Sequence, residues 1–403
     1  MKYLLIIGDG MADYSVEALN GKTPLQVANK PNIDKLANRG RGGILRTIPK
    51  GMEPGSVIAN LSILGYDPAK WYTGRGPLEA ISKGIHLDND DIAFRVNLIT
   101  VENDVLVDYA AGYMTNDEAR ELIRCVEQNF GKPNKIDFHA GVSYRNLLIL
   151  RDSQYSDDVL CTPPHNAIGI RTPEILPKAS TPAAEFTVTA LNKIILESKK
   201  ILENHQVNLS RVALGKRPGN MIWPWGQGKK PHLPTLQERY GISGAVISAV
   251  DVVKGVGICA GMEVVNVPGA TGFYDTNYEG KADYALAALE KHDLVLIHVE
   301  APDEAGHSRD HERKIKTIED LDRRLVGRLL KGLDQECTIA ILPDHATPIK
   351  VGTHTEDPVP FTICSPLIEP DDMKCFDEVS AKKGGFGLLE TGELFMLSFM
   401  KAK

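Results

Sequence analysis

Tyr3-Leu4-Leu5-Ile6-Ile7-Gly8-Asp9-Gly10 sets five apolar residues in a row and then breaks them with glycine and aspartate. A run that short, closed by a turn, reads as a strand buried on both faces. It is too short for the apolar core of a secretion signal and far too short to span a bilayer. The same pattern returns at Leu294 to Glu300, Thr338 to Leu342 and Pro360 to Cys364. Helical stretches separate these runs. Thr115-Asn116-Asp117-Glu118 opens one with a capping box, apolar positions at Ala119, Leu122, Ile123, Val126 and Phe130 continue it, and Gly131 stops it. Similar periodicity runs through Ala282, Ala285, Leu286 and Leu289, and through Ile315, Ile318, Leu325 and Leu329. Buried strands alternating with helices predict an α/β fold with a mostly parallel sheet between helices.

Residues 91–219 read differently. Alternating segments such as Ala93-Phe94-Arg95-Val96-Asn97-Leu98 mix with proline-rich loops around Cys161 to Pro177, which predicts an inserted α+β domain. The 403 residues then divide into a discontinuous core, 1–90 with 220–403, and an insertion, 91–219.

Composition excludes several classes of function. Forty-six Lys and Arg against 53 Asp and Glu give a formal charge of −7, so no sequence-independent grip on nucleic acid or on an anionic membrane is expected. Six cysteines lie scattered without a C-x-x-C pair, as befits reduced thiols of a cytoplasmic protein, and any metal must be held by histidine and carboxylate.

Ligands of open α/β sheets bind beyond the carboxyl ends of the strands. Asp9 follows the first strand; Asp303 follows the second, with His307 four residues on; Asp344-His345 follow the third, and then His354. Three carboxylates and three imidazoles suit two divalent ions in a mixed N/O environment. Taken singly, each Asp reads equally as a cap or turn residue and each His as a hydrogen-bonded core residue. Ser56, after Pro54-Gly55 and before the apolar stretch Val57 to Leu64, reads either as an N-cap or as a nucleophile at a helix N-terminus, where a base or a metal would have to ionise it. Competing motifs fail. Gly21-Lys22-Thr23 lacks the leading glycine of a phosphate-binding loop, since Val16 stands there, and Gly8-Asp9-Gly10 runs to Asp13 where a dinucleotide fingerprint needs glycine. Trp223-Pro224-Trp225-Gly226-Gln227-Gly228 reads as an aromatic platform or as a rigid join between domains.

With Asp9, Ser56, Asp303-x-x-x-His307, Asp344-His345 and His354 in this order, the chain resembles the alkaline phosphatase superfamily, and within it the archaeal-type cofactor-independent phosphoglycerate mutases. The resemblance covers the whole chain. It rests on Ile7 to Asp13, Pro54-Gly55-Ser56, Ala301 to His307, Pro343-Asp344-His345 and Thr353-His354-Thr355. It implies an alkaline-phosphatase-like core, no 2,3-bisphosphoglycerate, and two Mn, Zn or Mg ions. One ion would be held by Asp9, Asp344 and His345 with Ser56, the other by Asp303, His307 and His354. It also implies a phosphoserine on Ser56 that carries phosphate between the 3- and 2-positions of glycerate. A bacterial branch of the family is proposed to be homoserine kinase, and Ile222 to Gly228 and Gly269 to Ala282 are similar to that branch too. A phosphometabolite-binding protein without turnover is a further alternative. Candidate substrate contacts in or beside the insertion are Arg95, Arg145, His165 and Lys229, each of which reads equally as a surface ion-pair residue.

Overall fold

The computed structural model describes residues 1–131, 135–333 and 336–400, which divide into two compact units. The first comprises Met1–Tyr72 and His232–Lys403, the second Thr73–Pro231.

An eight-stranded sheet forms the first unit, in the order Glu263–Val264, Gly244–Ile247, Leu294–Val299, Lys2–Gly8, Cys337–Leu342, Val359–Cys364, Arg41–Leu45, Leu388–Leu389. Of these strands only Val359–Cys364 runs against the rest. Lys2–Gly8 is central because every residue from Tyr3 to Gly8 is buried, which only a strand flanked on both edges and covered on both faces satisfies. Its register sets the site. Gly8 pairs with Val299 on one side and Ile7 with Leu342 on the other, so the three loops that follow leave the sheet at one level.

Helices Pro31–Arg39 and Tyr278–Lys291 and the segment from His311 to Gly332 pack on this sheet, with Leu36, Ala282, Ala285, Leu321 and Leu325 in one core with Leu4 and Ile6. The periodicity from Ile315 to Leu329 predicts one uninterrupted helix. The structure instead widens Leu321–Val326 into a π-helical turn between α-helical ends. The cause lies elsewhere in the chain. Helix Pro31–Arg39 has Lys30 at its N-cap and no capping side chain, and the wide turn brings buried Asp322 to it, accepting from Ile33 N at 2.7 Å and Asn32 Nδ2 at 2.8 Å.

A five-stranded antiparallel sheet builds the second unit. Its central strand, Ile92–Glu102, is buried from Ile92 to Val101 because both faces are covered. Helices Asn116–Phe130 and Glu185–Leu202 lie on one side, where Leu122, Val126, Leu191 and Ile194 meet Phe94 and Val96. Ala80 of helix Arg75–Ser82 meets Ala93, Leu147 and Ile149. That packing explains why this unit begins before residue 91 and ends after 219: the helix Arg75–Ser82 and the strand Met221–Lys229 both belong to its sheet layers. The two segments touch closely. A Cβ on Gly228 would stand 1.8 Å from the Thr73 carbonyl oxygen and one on Gly74 2.0 Å from that of Gln227, so both positions require glycine.

All six cysteines are free, and among the described residues no helix is long and apolar enough to cross a membrane. Asp322→Ala should leave the first turn of helix Pro31–Arg39 uncapped and cost about 1–3 kcal/mol. A melting temperature equal to that of the parent protein, followed by circular dichroism, would contradict this account of the π turn.

Candidate metal and phosphoryl-transfer site

The three aspartates at the strand ends converge as their positions predict. Asp9, Asp303 and Asp344 are all buried, with exposures of 1%, 4% and 0%. Asp344 Oδ1 accepts from Gly10 N at 3.2 Å and from His345 N at 3.0 Å, and its Oδ2 accepts from Asn60 Nδ2 at 3.2 Å. Asp303 lies 3.1 Å from His307 Nε2 and 3.5 Å from His354 Nε2, whose two nitrogens face each other at 3.0 Å. His307 is oriented by Gly352 O, 3.1 Å from its Nδ1. His345 stands between the aspartates, its Nε2 3.5 Å from Asp9 Oδ1 and 3.6 Å from Asp344 Oδ2.

Ser56 opens the helix Ser56–Ile63. The N-cap is Gly55, so the hydroxyl is not used for capping; Oγ lies 3.3 Å from His345 Nε2. The side chain is half-buried and sits where the helix N-terminus favours an anion.

The electrostatics show what this arrangement lacks. Burial, together with the charges of Asp344, Asp303 and Glu300, pushes the Asp9 carboxyl well above its usual range. Burial also opposes charge on Asp303 and Asp344, but His307 and His354 hold the first well below the ordinary carboxylate value, and His345 and His298 do so for the second. Burial draws His345 down to about 4, whereas the Asp303 hydrogen bond lifts His307 to about 9. Three carboxylates so close cannot all be ionised without cations among them. Among the described residues two donor groups fit such cations: Asp303, His345 and His354, and Asp9, His298 and Asp344, each with ligand atoms within 4.8 Å of one another. Asp9 Oδ1, buried and without a hydrogen-bond partner, supports the fit.

Several residues of the site escape the sequence reading. His298 sits inside the apolar strand Leu294–Val299, and Asn60 inside an apolar helix, one turn below Ser56. Thr347 donates to Asp303 Oδ1 and lies 3.3 Å from His345 Nδ1. Fully buried Lys314 donates to Ala12 O, Asp13 Oδ2 and Thr347 O at 3.1, 2.7 and 2.9 Å, tying the loop after the first strand to the loop of Asp344. Buried Lys281 donates to His298 O at 2.8 Å, and burial draws it down to about 8. For His298, Asn60, Lys314 and Lys281 the available signal was an ionisable or amide residue at a position whose periodicity demands an apolar one, whereas Thr347 lies in a loop that offers none.

The candidate substrate contacts all lie in the second unit. Arg95, Arg145 and His165 gather around aromatic rings: Arg95 stands 5.5 Å from the Trp225 ring, His165 is 5.3 Å from that ring and 6.1 Å from Tyr109, and Arg145 is 5.5 Å from Tyr144. Lys229 lies further along the strand of Trp225, opposite Ile92. The tryptophan stretch divides its roles: Trp223 is fully buried with Nε1 donating to Thr162 O, while half-buried Trp225 carries the cationic cluster. Buried Glu79 joins Arg75 and Arg95 at 2.7 and 2.6 Å. Although burial opposes its charge, the two arginines hold its carboxyl down to about 2, against an ordinary 4.5. Because the folded value is the lower one, the stabilisation is complete above pH 4.5 and lost as pH falls toward 2. Glu79→Gln should therefore flatten the acid limb of the stability profile and, by leaving Arg95 buried without its anion, cost about 3–5 kcal/mol at neutral pH. Urea unfolding between pH 7 and pH 3 measures both effects; parallel profiles for the two proteins would contradict the assignment.

A family model described as 2,3-bisphosphoglycerate-independent phosphoglycerate mutase matches residues 37–208, and one described as type I phosphodiesterase/nucleotide pyrophosphatase matches residues 199–359. The chain is 49% identical over 395 residues to 2,3-bisphosphoglycerate-independent phosphoglycerate mutase 2 of Methanothermobacter thermautotrophicus, covering 98% of this chain and 96% of that protein. It is 50% identical over 398 residues to the protein of the same description from Methanosarcina acetivorans, with 98% of each covered. Among solved structures, a cofactor-independent phosphoglycerate mutase from Thermoplasma acidophilum is similar at TM-score 0.69 and 30% identity, over 100% of this chain and 99% of that one. A Pyrococcus horikoshii protein is similar at TM-score 0.85 and 34% identity, over 100% and 98%.

Proposed function

Because the chain belongs to the 2,3-bisphosphoglycerate-independent phosphoglycerate mutase family of the alkaline phosphatase superfamily, we propose that it interconverts 3-phosphoglycerate and 2-phosphoglycerate through a phosphoserine on Ser56. The observation that carries this reading is the half-buried Ser56 hydroxyl, free of capping duty, at a helix N-terminus beside three buried aspartates and their histidines. The proposed setting is the cytoplasm, in glycolysis or gluconeogenesis, with a small phosphorylated metabolite as partner.

Two divalent ions, Mn, Zn or Mg, are proposed to be held, one by Asp9, Asp344 and His345 with Ser56, the other by Asp303, His307 and His354. When bound, they supply the positive charge that ionises a serine hydroxyl at neutral pH and offsets the phosphate oxygens. Ser56 Oγ then forms its bond to phosphorus as the bond to the glycerate C3 oxygen breaks, and the serine proton ends on that oxygen. In the second transfer the glycerate 2-oxygen takes the phosphorus, and the 2-hydroxyl proton returns to Ser56. The amide N–H groups at the start of helix Ser56–Ile63 favour the transferring anion, and Asn60 fixes Ser56 by donating to its carbonyl at 2.8 Å. The insertion is proposed as the substrate-capping part, with Arg95, Arg145, His165 and Lys229 as its candidate substrate contacts. Water must be kept from the phosphoserine, or transfer becomes hydrolysis.

Relatives described as mutases, near half identity and matched along nearly their whole length, favour this reaction over homoserine phosphorylation and over binding without turnover. Phosphorus NMR of metal-loaded protein with 3-phosphoglycerate, and separately with ATP and homoserine, tests the three. The expected result is 2-phosphoglycerate in the first tube and no phosphohomoserine in the second. Ser56→Ala should lower the mutase rate on the order of 10³-fold or more while metal analysis still finds the ions; a variant keeping a tenth of the rate would exclude the covalent route. Chelation should also lower the melting temperature, since an ion at 100 times its Kd stabilises by about 2.7 kcal/mol per site. Unchanged melting after chelator dialysis would count against bound cations.

A further inference from the structure

We propose that His298 is a direct nitrogen ligand, with Asp9 and Asp344, of one of the two divalent ions. The inference rests on the metal pair proposed above and goes beyond it, because the family resemblance assigns the nitrogen at this position to His345 alone.

His298 has no exposed surface, and its Nε2 stands 3.3 Å from Asp9 Oδ2 and 3.7 Å from Asp344 Oδ2. These three side chains form a donor group with ligand atoms within 4.8 Å of one another, separate from Asp303, His345 and His354. Neither ring nitrogen of His298 makes a hydrogen bond, and Asp9 Oδ1 beside it makes none. A buried imidazole usually satisfies at least one nitrogen, and leaving both unmet carries a desolvation cost. A cation held by Nε2 and the two carboxylates would remove that cost.

The placement suits a ligand. His298 lies in a strand of the central sheet whose residues are all buried, and Lys281 Nζ donates to its carbonyl, so its backbone is held in place. The donor set is also balanced: two carboxylates and a neutral imidazole carry −2, which one divalent ion neutralises. His345 Nε2, 3.5 Å from Asp9 Oδ1 and 3.6 Å from Asp344 Oδ2, faces the same two carboxylates, so His298 would be a second nitrogen at this ion. The competing role is a positioning one, with a His298 N–H oriented toward a carboxylate. Glutamine separates the two, because its amide donates a hydrogen bond but is a poor ligand for Mn or Co.

The test is equilibrium dialysis of the full chain against Mn²⁺ with elemental analysis, together with the visible spectrum of the Co²⁺-loaded protein; neither needs turnover. The parent should bind two equivalents. His298→Ala and His298→Gln should each weaken one equivalent at least 10-fold, leave the other in place and alter the Co²⁺ bands. Circular dichroism confirms that each variant folds, and with two replacements of different size a folding failure in one leaves the other informative. If both variants bind two equivalents as the parent does, or if glutamine restores affinity and spectrum, His298 is not a ligand. If the parent itself binds no Mn²⁺, the metal pair fails and the ligand assignment with it.

Discussion

Three carboxylates buried at one end of one sheet are the constraint on which the rest of this structure depends. Taking a carboxylate out of water costs several kcal/mol even after relaxation, and like charges nearby add to that. The fold answers in two ways. Histidines are brought against Asp303 and Asp344, and the backbone N–H groups of Gly10 and His345 point at Asp344. Asp9 receives the least help, so its carboxyl resists ionisation most. An aspartate in that state stores affinity for a cation, and the register that aligns Gly8 with Val299 and Ile7 with Leu342 puts it there.

Precision at this site comes from outside it. The loops that carry Asp9 and Asp344 are held together by the buried Lys314, whose three acceptors leave its ammonium little freedom, and by Asp13, which also accepts from Ile349 N. Thr347 joins Asp303 to the same loop. The three strand ends thus behave as one rigid rim, as pre-organised electrostatic stabilisation requires.

The architecture was legible where one chemical signal sufficed. Apolar runs bounded by Gly, Pro or Asp gave the strands Lys2–Gly8, Leu294–Val299, Cys337–Leu342 and Val359–Cys364, and the Thr115 capping box gave the helix Asn116–Phe130. Aspartates that follow strands could be gathered because topology, not fine packing, brings them together. His298 could not, since a histidine inside an apolar run reads as part of the strand. Lys314 and Lys281 lie on helices where lysine is ordinarily solvated. The π turn and its Asp322 serve the start of a helix nearly three hundred residues earlier, and no local pattern announces a distant cap. The limits of the second unit were hidden for the same reason: helix Arg75–Ser82 is assigned by what it packs on.

The discontinuity of the first unit also governs the order in which the chain can be assembled. Its central strand is synthesised before the other strands of its sheet, yet its two neighbours begin at Leu294 and Cys337, with the whole second unit made in between. At synthesis rates of about 5–20 residues per second, that strand waits on the order of tens of seconds for a partner. Thr73–Pro231, contiguous in sequence, has every strand of its sheet synthesised well before then. The central strand of the first unit is therefore left as an unpaired edge through most of synthesis, and the completion of the sheet and of the rim of aspartates falls to the last part of the chain.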